Sequence, residues 1–468
     1  MRIHSKDKPS AISKAVAWTV ISLLAGCGNG AGTSSGDIGT AGSAKLAATT
    51  TAVGVVTPAS YTVANIGAGF EIEAEDSRVL NDRAQVAGSI ANGDWTMAHA
   101  YRYEDGTLTD LGTLGNTNGS SRGWAINASG LVAGDLRTGT IPDDVTHSFR
   151  SDGTTMTDLG ALGNASNNSY TIAISDSGLV TGISRYGNGY TVHAFRSDGT
   201  TMTDLGALGN ANNGSRAIAI NASGLVVGNS QYGNGNSVHA FRSDGATMTD
   251  LGALGNANNS STAAAINASG LVTGSSYNGT NDHAFISDGT TMTDLGALGN
   301  ANNASSAAAI NASGLVVGTS YNGTSYHAFL FNGTTITDLG ALGNANNLSS
   351  AVAINASGQL VGKSQVSPSL EHAFVKSPGD SQMIDLNTRL ANAPGVELFE
   401  AIAISDSGYI LARANTGWVL LKPAAAVPAP AAATLGAITA NDPVAVGMPV
   451  NVSVTFSDVN TADTHTAL

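Results

Sequence analysis

The sequence predicts an all-β chain folded as a β-propeller, with eight four-stranded blades and a ring closed by a strand from the N-terminal side. Three observations lead there. A unit of about 45 residues recurs: the tripeptide His-Ala-Phe or a close variant starts at His99, His147, His193, His239, His283, His327 and His372, with spacings of 48, 46, 46, 44, 44 and 45 residues. Each copy holds four short apolar runs separated by Gly, Asn and Asp, and a period of this length with four strands is that of a propeller blade. The runs are apolar on successive residues, as in Leu315-Val316-Val317, which suits strands covered on both faces by neighbouring blades. A closed β-solenoid, or seven blades with a frayed end, are the alternatives.

The chain opens with the cations Arg2, Lys6, Lys8 and Lys14, then an apolar run from Ala15 to Ala25. That run is shorter than the roughly 20 residues of a membrane-spanning helix and reads as a signal peptide over residues 1–26. Its end, Leu24-Ala25-Gly26-Cys27, contains the only cysteine. It resembles the lipobox of bacterial lipoproteins, and the resemblance implies a thiol acylated at Cys27 after cleavage before it. Gly28 is not the aspartate of an inner-membrane retention signal, so the expected place is the outer membrane or cell surface. Residues 27–58, rich in Gly, Ala, Ser and Thr, read as a flexible tether. With its one cysteine lipidated the chain forms no disulfide, and burial and backbone pairing must hold the fold. The net charge of −14 argues against nucleic acid and anionic membrane surfaces as partners.

The ring is expected over residues 59–423. In the unit around His327, the first strand is read at Ala307–Asn311, a turn at Asn311–Gly314, and the second strand at Leu315–Gly318. The third strand is read at His327–Phe331, a tight two-residue hairpin at Asn332-Gly333, and the fourth strand at Thr335–Leu339. Asn and Gly suit the turns. The alanine-rich first strand fits the innermost place, where room is least. The last unit has only three runs, ending at Trp418–Leu421. Tyr61–Gly67 aligns with the fourth run of the others, so it is predicted to supply the outer strand of the last blade. In order along the units stand His-Ala-Phe, then Asp-Leu-Gly at Asp110, Asp158, Asp204, Asp250, Asp294 and Asp338 (Asp-Leu-Asn at Asp385), then Ala-Ile-Asn-Ala-Ser-Gly-Leu-Val-x-Gly. On these motifs the chain resembles the HAF-type extracellular repeat family over about Ser60 to Lys422. The resemblance implies an extracellular repeat architecture and no defined activity.

A Pro/Ala linker follows at 424–434. In residues 435–468, Val452, Val454 and Phe456 alternate, and Asp463-Thr464-His465-Thr466 continues a resemblance to a truncated PKD-like, immunoglobulin-type segment. Some 34 residues cannot build a sandwich core, and a poorly ordered stub is expected.

No nucleophile elbow, zinc-protease helix, phosphate loop or EF-hand pattern is present. No catalytic residue, metal site or cofactor is expected, and near-identical units argue against an enzyme, which needs one set of residues in different roles. The repeated histidines are read as structural, each tying its third strand to a turn, and the repeated aspartates as turn acceptors. Ser197-Asp198-Gly199 lacks the aromatic of a sialidase Asp-box, and the Asn-Ala-Ser triplets are explained by the turn. The acidic residues Glu71, Glu73, Glu75, Asp76, Asp143 and Asp144 are read as solvated loops. The loops that vary most carry Tyr186, Tyr232, Tyr277 and Tyr321, candidates for stacking on sugars or contacting protein; the plainer reading packs each Tyr over its hairpin. The function expected is a cell-envelope lipoprotein whose propeller is a binding or structural module for carbohydrate or protein. The alternatives are an extracellular carbohydrate-active enzyme (hydrolase or lyase) and a decayed gene.

Overall fold

The computed structural model describes residues 57–424, apart from 68, 73–76, 92–96, 115–118, 138–144, 165, 187–190, 211 and 234–236, together with three strands of the tail. Cys27, the signal peptide, most of the tether and most of the Pro/Ala linker lie outside the described residues. No helix among the described residues is long and apolar enough to cross a membrane.

Eight antiparallel sheets form a ring of blades, and the chain runs through each from an inner to an outer strand. Blade 4 is representative, with strands Ser215–Ile220, Val226–Tyr232, Ser237–Ser243 and Met248–Asp250. Blade 8 holds Leu398–Ile404, Ile410–Ala414 and Gly417–Pro423, and its fourth strand is Tyr61–Asn65. That strand pairs antiparallel with Gly417–Pro423 from Tyr61↔Pro423 to Asn65↔Val419, which is the predicted closure. A short strand, Leu390–Ala391, adds in parallel outside it. Thr57, two residues ahead of the expected start of the ring, is already docked: its N–H donates to Asp380 Oδ1 at 3.2 Å, and its hydroxyl lies 3.0 Å from Ser377 Oγ.

Hydrophobic burial accounts for each blade. The phenylalanines of the tripeptide (Phe149, Phe195, Phe241, Phe285, Phe329 and Phe374) are fully buried, beside Val or Leu of the second strand. The inner strands of blades 2–7 bulge, as between Ala217 and Ala219, opposite the glycine of Leu-Val-x-Gly. The strands themselves are offset from the sequence reading: in blade 6 they run Ser305–Ile310, Val316–Tyr321, Tyr326–Phe331 and Ile336–Asp338.

One expectation is corrected. The connection at Asn332-Gly333 is not a two-residue hairpin but a four-residue loop, Asn332–Thr335, closed by Asn332 N–H to Thr335 O at 3.3 Å. The Asn332 side chain explains this, because its Oδ1 accepts the N–H groups of Thr334 and Thr335, the turn-making bond of Asn and Asp. Asp152, Asp198 and Asp288 do the same in other blades. Only blade 1 places a two-residue turn there, at Asp105-Gly106, both with positive φ.

Polar side chains stitch blade to blade. Asn Nδ2 of each inner turn donates to the backbone oxygen of the next turn: Asn81 to Asn127, Asn221 to Asn267, Asn267 to Asn311 and Asn311 to Asn355, all at 2.9–3.1 Å. Where Ser-Asp-Ser replaces Asn-Ala-Ser, the aspartate reaches back instead, Asp176 accepting from Ala128 N–H and Asp406 from Ala356 N–H. Asp82 accepts from Ser407 N–H at 3.2 Å and joins blade 8 to blade 1. Near the rim, one Arg196 nitrogen donates to Gly224 O and Asp244 O of the following blade, and Arg102, Arg150 and Arg242 repeat the tie.

In the tail, Val452–Ser457 pairs antiparallel with Thr464–Ala467 and with Thr439–Ala440.

Candidate functional site

The third strand of each blade begins, and the outer strand ends, on one face of the ring. This places every repeated histidine beside its repeated aspartate. His193 Nδ1 lies 2.9 Å from Asp204 Oδ1, and the pairs His147–Asp158, His239–Asp250, His283–Asp294, His327–Asp338 and His372–Asp385 have nearest contacts of 2.7–3.0 Å. His99–Asp110 is the exposed member, at 2.9 Å. The same carboxylates accept a turn N–H two residues on, as Asp204 does from Gly206 at 2.8 Å. Histidine and aspartate, read separately from the sequence, are thus one structural unit. The signal was there: six of the seven pairs are 11 residues apart.

Burial pushes the Asp158 and Asp204 carboxyls up. The hydrogen bonds from His147 and His193, the Gly160 and Gly206 N–H groups, and the histidine charge outweigh it, so both stay below the ordinary carboxylate value. On the opposite face, Asp198 is held down to about 2 by the Thr200 hydroxyl and by the N–H groups of Thr201 and Thr200.

These pairs are poorly placed for catalysis. A general base must reach its substrate. Nε2 of His193 and of His327 is buried with no hydrogen-bond partner, and Nε2 of His239 lies 3.1 Å from Asn259 O. Among the described residues, no group of three or more His, Cys, Asp or Glu side chains is arranged to hold a metal ion.

The four candidate tyrosines lie on the histidine face but not in one environment. Tyr186 stacks on His193 with centroids 4.4 Å apart and remains 43% exposed, while Tyr232 stacks on His239 at 4.0 Å and is half-buried. Tyr277 is 39% exposed, its hydroxyl donating to Gly279 O at 3.1 Å. Tyr321 is half-buried against Tyr326, which is the more exposed ring of that loop at 47%. Packing over the hairpin thus holds for two of the four, and Tyr326 was missed because it stands on the third strand rather than in the loop. The Asn-rich segments share this face: Ser237 Oγ donates to Asn258 O at 3.0 Å.

The inner strands bring together residues that the sequence reading did not single out. Arg122, Tyr170 and Arg216 stand at the same place on the inner strands of blades 2, 3 and 4, at the end nearer the histidine face. Arg78 of blade 1 reaches across the ring and donates to Ile218 O of blade 4. At the other mouth, an open cavity of about 210 Å³ is lined in part by Asp82, Asp176 and Asp406.

No family model matches the chain, and no curated protein matches it. Several solved structures are similar. The β-propeller domain of the Trilobed protease from Pyrococcus furiosus, described as having an open velcro topology, has a TM-score of 0.41 at 11% identity, covering 72% of this chain and 100% of that one. Dipeptidyl peptidase 4 of Porphyromonas gingivalis gives 0.42 at 11% identity, covering 87% and 66%. The Aleuria aurantia lectin, in complex with a fucosylated N-acetylglucosamine, gives 0.27 at 14% identity, covering 55% and 92%.

Proposed function

We propose that the chain is an exported lipoprotein, acylated at Cys27 and held at the outer membrane or cell surface, whose propeller binds glycan. The observation that carries the binding reading is the histidine face. In blades 3–6 it repeats one arrangement, a His–Asp pair beside a loop that opens on Tyr186, Tyr232, Tyr277 or Tyr321, with Tyr186 and Tyr277 keeping exposed rings. Rigid aromatic rings beside amides suit sugar faces and hydroxyls, and repetition gives weak sites avidity. The chain's resemblance to HAF-type extracellular repeats and, in its tail, to PKD-like segments fits the same placement. Two acyl chains on Cys27 would make the anchor stable.

The test screens the lipid-free chain against bacterial and plant polysaccharides beside a variant with Tyr186, Tyr232, Tyr277 and Tyr321 changed to Ala. Binding that the folded variant loses supports the reading. No binding by the folded parent rejects it in favour of a protein partner or an architectural role. Anchoring is tested apart from binding: Cys27→Ser should abolish incorporation of labelled fatty acid and release the chain from the membrane fraction.

A further inference from the structure

The apolar surface of the ring is one-sided. Among the described residues, every large apolar side chain that is exposed stands at the histidine face and none at the opposite one, Tyr326 and Leu348 being two of them. Over blades 5 and 6 the charge is of one sign. Between Arg242 and Lys363 the chain carries six aspartates and no Lys or Arg. Arg242 is bonded to Gly270 O and Asp288 O on the opposite face, and Lys363 is engaged by Glu371 and Glu400 at 3.4 and 3.5 Å. Arg216 belongs to the inner strand of blade 4, at the channel round which the inner strands stand. The histidine face of blades 5 and 6 is therefore aromatic and polar, and it holds no Lys or Arg.

At the seams of this sector a loop of asparagines lies between two tyrosine loops. Between blades 5 and 6, Asn281 of the Tyr277 loop donates through Nδ2 to Asn302 O, and Gly299 lies so close to Asn322 O of the Tyr321 loop that a Cβ would clash with it. Between blades 4 and 5, Ser237 Oγ donates to Asn258 O and Asn259 Nδ2 to Tyr277 O, each at 3.0 Å. The first asparagine of each loop makes the turn: Asn256 Oδ1 accepts from Asn258 N–H and Asn300 Oδ1 from Asn302 N–H, both at 2.9 Å. Asn258 and Asn302 are exposed, and their side-chain amides make no hydrogen bond to another described residue. Just ahead of each loop in the chain stands a histidine-paired carboxylate, Asp250 half-buried and Asp294 exposed. The Gly252 and Gly296 N–H groups bond Oδ1 of each at 2.7 Å, so Oδ2 keeps room to accept from a hydroxyl.

We infer that the seams between blades 4 and 5 and between blades 5 and 6 bind an uncharged glycan and turn away uronate-bearing ones. The inference rests on the glycan reading above and names its ligand class. The amides of Asn258 and Asn302 bond sugar hydroxyls, Asp250 and Asp294 accept charge-assisted bonds from hydroxyls, and the exposed rings of Tyr277 and Tyr326 cover sugar faces. A uronate carboxylate at blades 5 and 6 would meet aspartates and no Lys or Arg, and like charges brought together oppose binding. Two seams of one make can engage successive stretches of one polymer.

The test measures binding of galactomannan, xyloglucan and carboxyl-reduced polygalacturonate by the purified chain, with native polygalacturonate and alginate as the acidic comparison. At least one neutral polymer should bind about tenfold or more tighter than both acidic ones, equivalent to about 1.4 kcal/mol, and added sodium chloride should leave its binding unchanged. The double variant Asn258→Ala with Asn302→Ala should weaken neutral binding about tenfold, as should Tyr326→Ala, with unchanged melting temperature. Acidic polymers bound as tightly as neutral ones, or neutral binding indifferent to both variants in folded form, would overturn the inference and leave the glycan reading standing. No binding of any polymer by the folded chain would reject both.

Discussion

Gly228 faces the bulge of its inner strand, and a Cβ there would meet Arg216 O at 2.0 Å and the Phe241 ring at 2.8 Å. Backbone and a fully buried ring cannot both yield, so Gly228→Ala should cost about 1–3 kcal/mol, read as a lowered melting temperature; no change would mean the bulge relaxes freely. The His–Asp pairs make a second residue-scale prediction. Because Asp158 and Asp204 are held below their ordinary value in the fold, they bind fewer protons folded than unfolded. Their stabilisation is present above the unfolded value of about 3.9 and is lost as pH falls through the folded value. Asp158→Asn with Asp204→Asn should lower the melting temperature at pH 7 and flatten its decline between pH 5 and 3. An unaltered decline would show that other carboxylates control acid unfolding.

At the scale of the element, much was legible and some was not. Glycine and asparagine marked the inner turns, because Gly224 and Gly314 carry positive φ and Asn221 and Asn311 cap the chain. The rim loop was misjudged: Asn332-Gly333 read as a two-residue hairpin, but the N–H groups of Thr334 and Thr335 give the Asn332 amide oxygen two donors and lengthen the loop to four. The rim arginines were not read at all, since a lone Arg on a strand says nothing of the carbonyls it will meet one blade on. Arg196→Ala, removing the bonds to Gly224 O and Asp244 O, should cost about 1–3 kcal/mol. Blades 5–7 carry Ile286, Leu330 and Val375 at this place, so Arg196→Leu should recover part of that loss through packing. No difference between the two variants would argue against this tie.

For the whole molecule, the count of eight and the closure were legible because the last unit lacked one run and the first residues supplied it. The channel was not, because its side chains come from strands some 46 residues apart whose shared place exists only in the ring. Deleting residues 57–66 should expose the edge of Gly417–Pro423 and drive self-association, seen as a larger species in light scattering; a stable monomer would show that the edge protects itself. The same closure has a mechanical side. Tyr61 pairs with Pro423, so the chain enters and leaves the ring at one corner of one sheet. A pull on one end against the body of the ring loads the antiparallel pairs from Tyr61↔Pro423 to Asn65↔Val419 together, in shear. A pull between the two ends peels the same pairs apart one at a time, beginning at that corner. The seam is therefore strongest against a pull on the N-terminal end against the ring and weakest against tension between the two ends, with Thr57, pinned to Asp380 and Ser377 on blade 7, taking the first load on the N-terminal side.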